Sequence, residues 1–289
     1  MAVRRCTLGF LIAGILWGCS PPGVTTPFSE PAAAVVDGHV ISVTAYRQRL
    51  EVSRHRDPFL GIPEAGPSPL PAKRLEDFTI DQLIREEIMR QEADRRKLMV
   101  TDQAVQARID SLESRAGDST FRAALDRNGF TTESFRSYER ALLTEVTLVE
   151  AMAKDRIQSA MQDLKNGDAF AAVAARWSDD SGTSNRGGEV GWLRPEDIPE
   201  RPLASEVESL ATGSTSDIVR TNRGFAIATV LGRQSDQVHL AVILVLAPTV
   251  DLFSPQGTPS WFTKFLADRE SALQRDGKLQ VKVGSHART

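Results

Sequence analysis

Trp177-Ser-Asp-Asp-Ser181, Arg186-Gly-Gly-Glu-Val-Gly-Trp192 and Thr221-Asn-Arg-Gly-Phe225 are the stretches that decide the fold. Before them, Ala169 to Ala174 predicts a short helix that turns Phe170, Val173 and Ala174 inward. A polar loop follows, and the Gly187-Gly188 pair, free to take positive φ, leads into a short strand. A second helix is predicted around Arg201 to Leu210, stopped at Gly213. The Asn222-Arg223-Gly224 turn then joins two strands.

The order and spacing of Ser-Asp, Gly-Gly-x-x-Gly-Trp and Thr-x-x-Gly-Phe resemble the parvulin-type prolyl isomerase (rotamase) domain. That resemblance implies an α+β fold, a small antiparallel sheet with flanking helices. Both ends of the domain depart from the family pattern. Parvulins open on a strand that carries a histidine, and here helix runs straight into helix before Asp155. A suitable strand stands after the block instead, Val238-His-Leu-Ala-Val-Ile-Leu-Val-Leu246. It is expected either to fill the missing central position or to be a relic of a second repeat or an edge strand of the N-terminal part. A sheet without its middle strand would leave apolar faces and backbone groups uncovered.

Prolyl isomerisation breaks no covalent bond; it lowers a rotational barrier of roughly 18–20 kcal/mol. An apolar cup for the ring and a polar centre around the twisted amide can do this. The resemblance implies two histidines and a loop Cys or Asp as that centre. Carried across, the loop carboxylate falls on Asp180, the cup on Ile198 and Leu203, and the residue before the final turn glycine on Arg223. The last-strand histidine falls on Ala226, and the first-strand one on Val242, with His239 near it in sequence. Trp192 and His239 complete the expected substrate-binding set. Read without the resemblance, Asp179-Asp180-Ser181-Gly182 is ordinary turn chemistry, His239 a surface strand residue and Trp177 and Trp192 core.

Working outward, Val35 to Val43 predicts a hairpin turning at Asp37-Gly38. Helices are predicted from about Thr44 to Arg54, Leu75 to Lys97, Thr101 to Arg115 (with Thr101 as cap), Phe121 to Asn128 and Thr132 to Leu164, the last breaking near Ala153. His55 to Lys73, interrupted by prolines, reads as an exposed loop. The Val35-Val36 start, Leu83-Ile84, Glu92-Ala93 and Val100-Thr101-Asp102 resemble, in that order, the helical N-terminal region of the SurA and PrsA families. A final helix over Trp261 to Gln274 and a strand over Leu279 to Val283 are expected to return to that region and pair with Val35 to Val43.

Arg4, Arg5 and the apolar run Leu8 to Trp17 predict a targeting segment, too short for a spanning helix of roughly 20 residues. Leu16-Trp-Gly-Cys19 resembles a bacterial lipobox, which implies that Cys19 is lipidated and the chain anchored in the envelope, facing the periplasm from the outer membrane. The expected organisation is a signal over 1–18, a tether over 19–34, a helical domain over 35–154, a parvulin-like domain over 155–234, and a returning strand and helix over 235–289.

Without Arg4 and Arg5 the chain has 33 basic against 38 acidic residues, a formal charge of −5, which argues against nucleic-acid binding. The two cysteines, Cys6 and Cys19, lie in or beside the signal, and four histidines form no metal-ligand spacing, so neither metal nor cofactor is expected. Two functions follow from the resemblance. One is a prolyl isomerase acting on proline-containing segments of exported proteins. The other is a chaperone that binds unfolded envelope proteins in a parvulin shell without its catalytic centre; a purely structural lipoprotein is a third reading.

Overall fold

The computed structural model describes residues 30–54, 72–247, 249 and 258–284. Its first strands, β1 (Ala32–Val36) and β2 (His39–Ser42), are joined by Asp37 and Gly38 at φ 47° and 86°. Two positive φ values give the two-residue turn whose twist matches a hairpin. The helices α1 (Val43–Arg54), α2 (Ala72–Arg95), α3 (Asp102–Ala116), α4 (Asp118–Arg127) and α5 (Thr132–Lys165) follow. Thr101 caps α3 by accepting from the Ala104 amide at 3.2 Å, and Thr131 with Ser134 forms a capping box for α5.

The expected break near Ala153 is corrected: α5 is continuous over 34 residues. No glycine or proline interrupts it, and Ala153 is fully buried, a small residue where neighbouring elements approach closely. The helix therefore serves two bodies. Its first half closes a helical cluster in which Phe135 meets Phe121 and Phe130 edge-on at 5.6 and 5.2 Å, over Val105, Ile109 and Leu112. Its second half brings Leu148, Val149, Ile157 and Ala160 into the central core, with Ile80, Ile84 and Ile88 of α2.

Beyond α5 lie α6 (Phe170–Trp177), β3 (Glu189–Leu193), α7 (Arg201–Ser209), β4 (Val219–Arg220), β5 (Gly224–Gln234), β6 (Gln237–Leu246), α8 (Ser260–Arg275) and β7 (Leu279–Val281). They form two antiparallel sheets, ordered β2-β1-β7 and β3-β6-β5-β4. In the first, Val36 faces Leu279 and Ala34 faces Val281, so the end of the described chain returns to its start. In the second, β6 lies between β3 and β5 although it follows both in sequence. The Val238–Leu246 stretch is thus a central strand of the sheet that contains Gly-Gly-x-x-Gly-Trp, and not an edge of the N-terminal sheet.

Strand alternation gives β6 two apolar faces. Ile243 and Val245, with Phe225 and Ile227 of β5, enter the central core beside α5, α6 and α8. Leu240 and Leu244, with Ala226, Ala228 and Val230, form a separate cluster under α7.

Candidate functional site

Two glycines let the sheet close around β6. A Cβ on Gly188, at φ 81°, would lie 2.6 Å from the Val242 carbonyl oxygen, and one on Gly224 would lie 2.0 Å from that of Val245. Gly188 uses this closeness: its carbonyl accepts the Val242 amide at 2.8 Å. Past the end of β3, the other edge of β6 is covered by the loop after α6. There the Asp179 amide donates to the Leu244 carbonyl (2.7 Å), Ser178 Oγ accepts the Leu244 amide (3.1 Å) and Asp179 Oδ2 accepts the Leu246 amide (2.9 Å). Asp179 therefore extends the sheet with a side chain in place of a strand. Burial pushes its carboxyl up, against the pull of the Leu246 amide and the Arg156 guanidinium, 3.7 Å away.

Asp180, the residue chosen from the sequence, is occupied within its own loop. Its Oδ1 accepts the Gly182 amide at 3.2 Å, its Oδ2 the Thr183 hydroxyl at 2.8 Å, and its carbonyl the Thr183 and Ser184 amides. This is the turn role that Asp-x-Gly chemistry favours. Sequence reasoning missed Asp179; adjacent identical residues carry no signal for which of the two reaches the neighbouring strand.

Ile198, Leu203, Ala226 and Leu244 share one cluster and retain 5, 4, 1 and 5% of their surface. In register, Ala226 faces Leu244 and Ala228 faces Val242. The positions to which the resemblance assigned the two histidines, Ala226 and Val242, therefore present only hydrocarbon to this face, and the cup is filled by its own side chains. Arg223 is a turn residue whose carbonyl accepts the Ala247 amide at 2.9 Å.

Trp192 and His239, the other two expected substrate-binding residues, stand apart from this cluster. They face each other across β3 and β6, with rings stacked at 5.0 Å and 20°, and Glu189 pairs with His239 Nε2. His239 has the strand parity of Ile243 and Val245, which puts the pair on the face opposite Leu240 and Leu244. Trp192 is 46% exposed there, and a Cβ on Gly232 would come within 3.2 Å of its ring.

Further polar and charged groups are half-buried in the helical body. Arg49 of α1 makes a two-pronged pair with Glu86 of α2 and lies 5.2 Å from the Tyr138 ring centroid. Burial pushes the Tyr138 hydroxyl up to about 12. Glu145 of α5 accepts from Thr258 at 3.3 Å; burial, with Glu86 nearby, pushes its carboxyl up to about 7. Among the described residues no helix is long and apolar enough to cross a membrane. Cys19 lies outside the described residues, as does the prolyl-rich stretch 55–71.

Comparison with known proteins places these features. Residues 4–148 match the family described as the SurA-like N-terminal domain, and residues 142–231 match the PPIC-type PPIase domain, or rotamase. Chaperone SurA of Chromobacterium violaceum is 21% identical over 290 residues, covering 83% of this chain and 66% of that protein. Chaperone SurA of Pseudomonas aeruginosa is 26% identical over 275 residues, covering 75% of this chain and 64% of that protein. The chain thus spans just under two thirds of the length of these relatives. The crystal structure of peptidylprolyl isomerase PrsA from Bacillus anthracis is 18% identical and covers 68% of this chain and 97% of that one, at a TM-score of 0.26, a superposition too loose to bear on the site. With a family match over residues 4–148 and a second that continues it to residue 231, the chain belongs to the family with a SurA-like N-terminal domain and carries a parvulin-type PPIC domain behind it.

Proposed function

We propose that this chain is a folding factor of the bacterial envelope that holds unfolded exported proteins, and that its parvulin-type domain binds without isomerising. The observation that carries this reading is the Ala226–Leu244 and Ala228–Val242 pairing at the centre of the sheet, beside the buried Ile198 and Leu203. With alanine, valine and leucine at the two positions where the resemblance expects histidines and at the positions facing them, the centre of the face has no imidazole to polarise a twisting amide, and a cup whose residues are buried against one another does not readily grip a proline ring. The other aspartate of the loop, Asp180, is committed to its own turn. The same reading takes Cys19 as the lipid-bearing residue of an outer-membrane anchor and residues 19–34 as a tether. It assigns residues 35–154 to a helical domain, and 155–234 with the returning 235–289 to the parvulin sheet and the closure of the N-terminal one.

The test has two arms with the purified chain: the cis-to-trans rate of short X-Pro peptides, and suppression of aggregation of an unfolded outer-membrane protein. The expected result is no acceleration, in the parent or in Asp180→Ala, together with suppressed aggregation. Acceleration that disappears in Asp180→Ala would establish an isomerase and overturn the reading. Unchanged aggregation would remove the chaperone role.

A further inference from the structure

The junction between the parvulin sheet and the helical body is built on one arginine. Arg156 of α5 lies with its guanidinium carbon 5.4 Å from the Trp177 ring centroid and 5.0 Å from that of Trp261, a cation held between the indoles of α6 and α8. Its Nε is buried with no acceptor, while the Trp261 indole nitrogen is directed at Asp179. The carboxylate within ion-pair distance among the described residues is Asp179, at 3.7 Å, too far for a hydrogen bond. A guanidinium offers five donors, and buried donors in native proteins nearly always find acceptors. About a quarter of the Arg156 side chain stays exposed, and it faces a groove of about 420 Å³ along α8.

The walls of that groove set its ligand. Trp261 and Phe265 give an apolar side, while Lys264 and Arg269 add positive charge and Asp268 one negative charge. Lys264 is 75% exposed and pairs with Asp268 at 2.8 Å; Arg269 lies 3.7 Å from Asp37. Lys264 and Arg269 thus already face carboxylates, so what the lining leaves for a ligand is the guanidinium of Arg156, whose own carboxylate stands too far off for a hydrogen bond. A planar guanidinium with free N–H groups matches a carboxylate in a two-pronged bond. The volume suits one or two side chains.

We propose that this groove takes an acidic side chain of an extended client segment, with an apolar neighbour resting on Trp261 and Phe265. The inference rests on the client-holding reading above and gives that reading a second contact point, away from the parvulin face.

The test titrates the full chain with the peptide acetyl-Ala-Asp-Leu-Ala-amide and its Asn counterpart, following tryptophan fluorescence, since two indoles flank the site. The Asp peptide should quench saturably and the Asn peptide should bind about tenfold more weakly, the loss of one charge-assisted pair. Arg156→Gln should lose a similar factor. Lys264→Glu, at a side chain 75% exposed whose one pair is a surface i,i+4 contact, should weaken the Asp peptide about threefold and change the Asn peptide far less. Equal affinity for the two peptides, or no saturable binding, overturns the proposal. Quenching by phosphatidylglycerol vesicles with none by the Asp peptide also overturns it and makes the groove a membrane contact. A chain that suppresses aggregation but ignores the peptide charge sinks this inference alone, whereas one that fails to suppress aggregation sinks the reading beneath it.

Discussion

Truncating Ile243 tests whether the returning strand is a structural centre or an ornament of the sheet. Ile243 is fully buried, faces Ile227 across β5 and points into the core shared with α5 and α6. Ile243→Ala removes three carbons, about 2.4 kcal/mol at roughly 0.8 kcal/mol each, before any cavity left behind is counted. Since α5, α6 and β5 meet there, the site collapses little, and the whole cost should be about 3–4 kcal/mol. Its neighbour Val242 points the other way, toward the α7 cluster, and is only partly buried. Val242→Ala removes two carbons from a less enclosed place and should cost about 1 kcal/mol. Urea unfolding followed by far-ultraviolet circular dichroism, with equal slopes in both variants, gives both values. A one-residue slip would exchange the faces. A larger cost for Val242→Ala than for Ile243→Ala would therefore refute the register, and negligible costs for both would refute the central position of the strand.

Glu145→Gln probes the half-buried acid beside Thr258. A carboxyl whose folded value lies near 7 binds more protons than the unfolded chain does between its ordinary value of 4.5 and about 7, so this group makes stability fall as pH rises through that window. The variant keeps an acceptor for Thr258 and should be more stable than the parent by about 1–3 kcal/mol at pH 8 and nearly equal to it at pH 4.5, as read by denaturant midpoints; a constant difference across pH would refute the assignment. Gly188→Ala should destabilise by about 2–4 kcal/mol, because a Cβ meets the Val242 carbonyl at 2.6 Å, whereas Gly213→Ala, at similar φ with nothing within 4 Å, should cost about 1 kcal/mol. Equal melting-temperature losses for these two would show that close approach to β6 is unimportant.

Much of this architecture was legible along the chain because it rests on local chemistry. Asp37-Gly38 makes its hairpin turn by positive φ, Thr101 caps its helix through its own hydroxyl, and the pattern from Trp177 to Phe225 announces the parvulin shell. The absence of the last-strand histidine was visible too, since Ala226 is read straight from the motif. What the tertiary structure alone decided concerns pairings between residues far apart in sequence. The place of β6 depends on which strands lack a partner once the chain has closed, and several homes were open to the same apolar nonapeptide. The choice of Asp179 over Asp180 depends on which carboxylate meets the free edge of that strand. The separation of Trp192 and His239 from the cup follows from the face each strand position acquires once its register is set. Arg156 between Trp177 and Trp261 joins residues from three helices, and no local pattern shows that the three meet. Turns and caps are decided within a few residues of themselves; a strand's neighbours and a side chain's company are decided by which apolar surfaces and backbone groups the rest of the chain leaves to be covered.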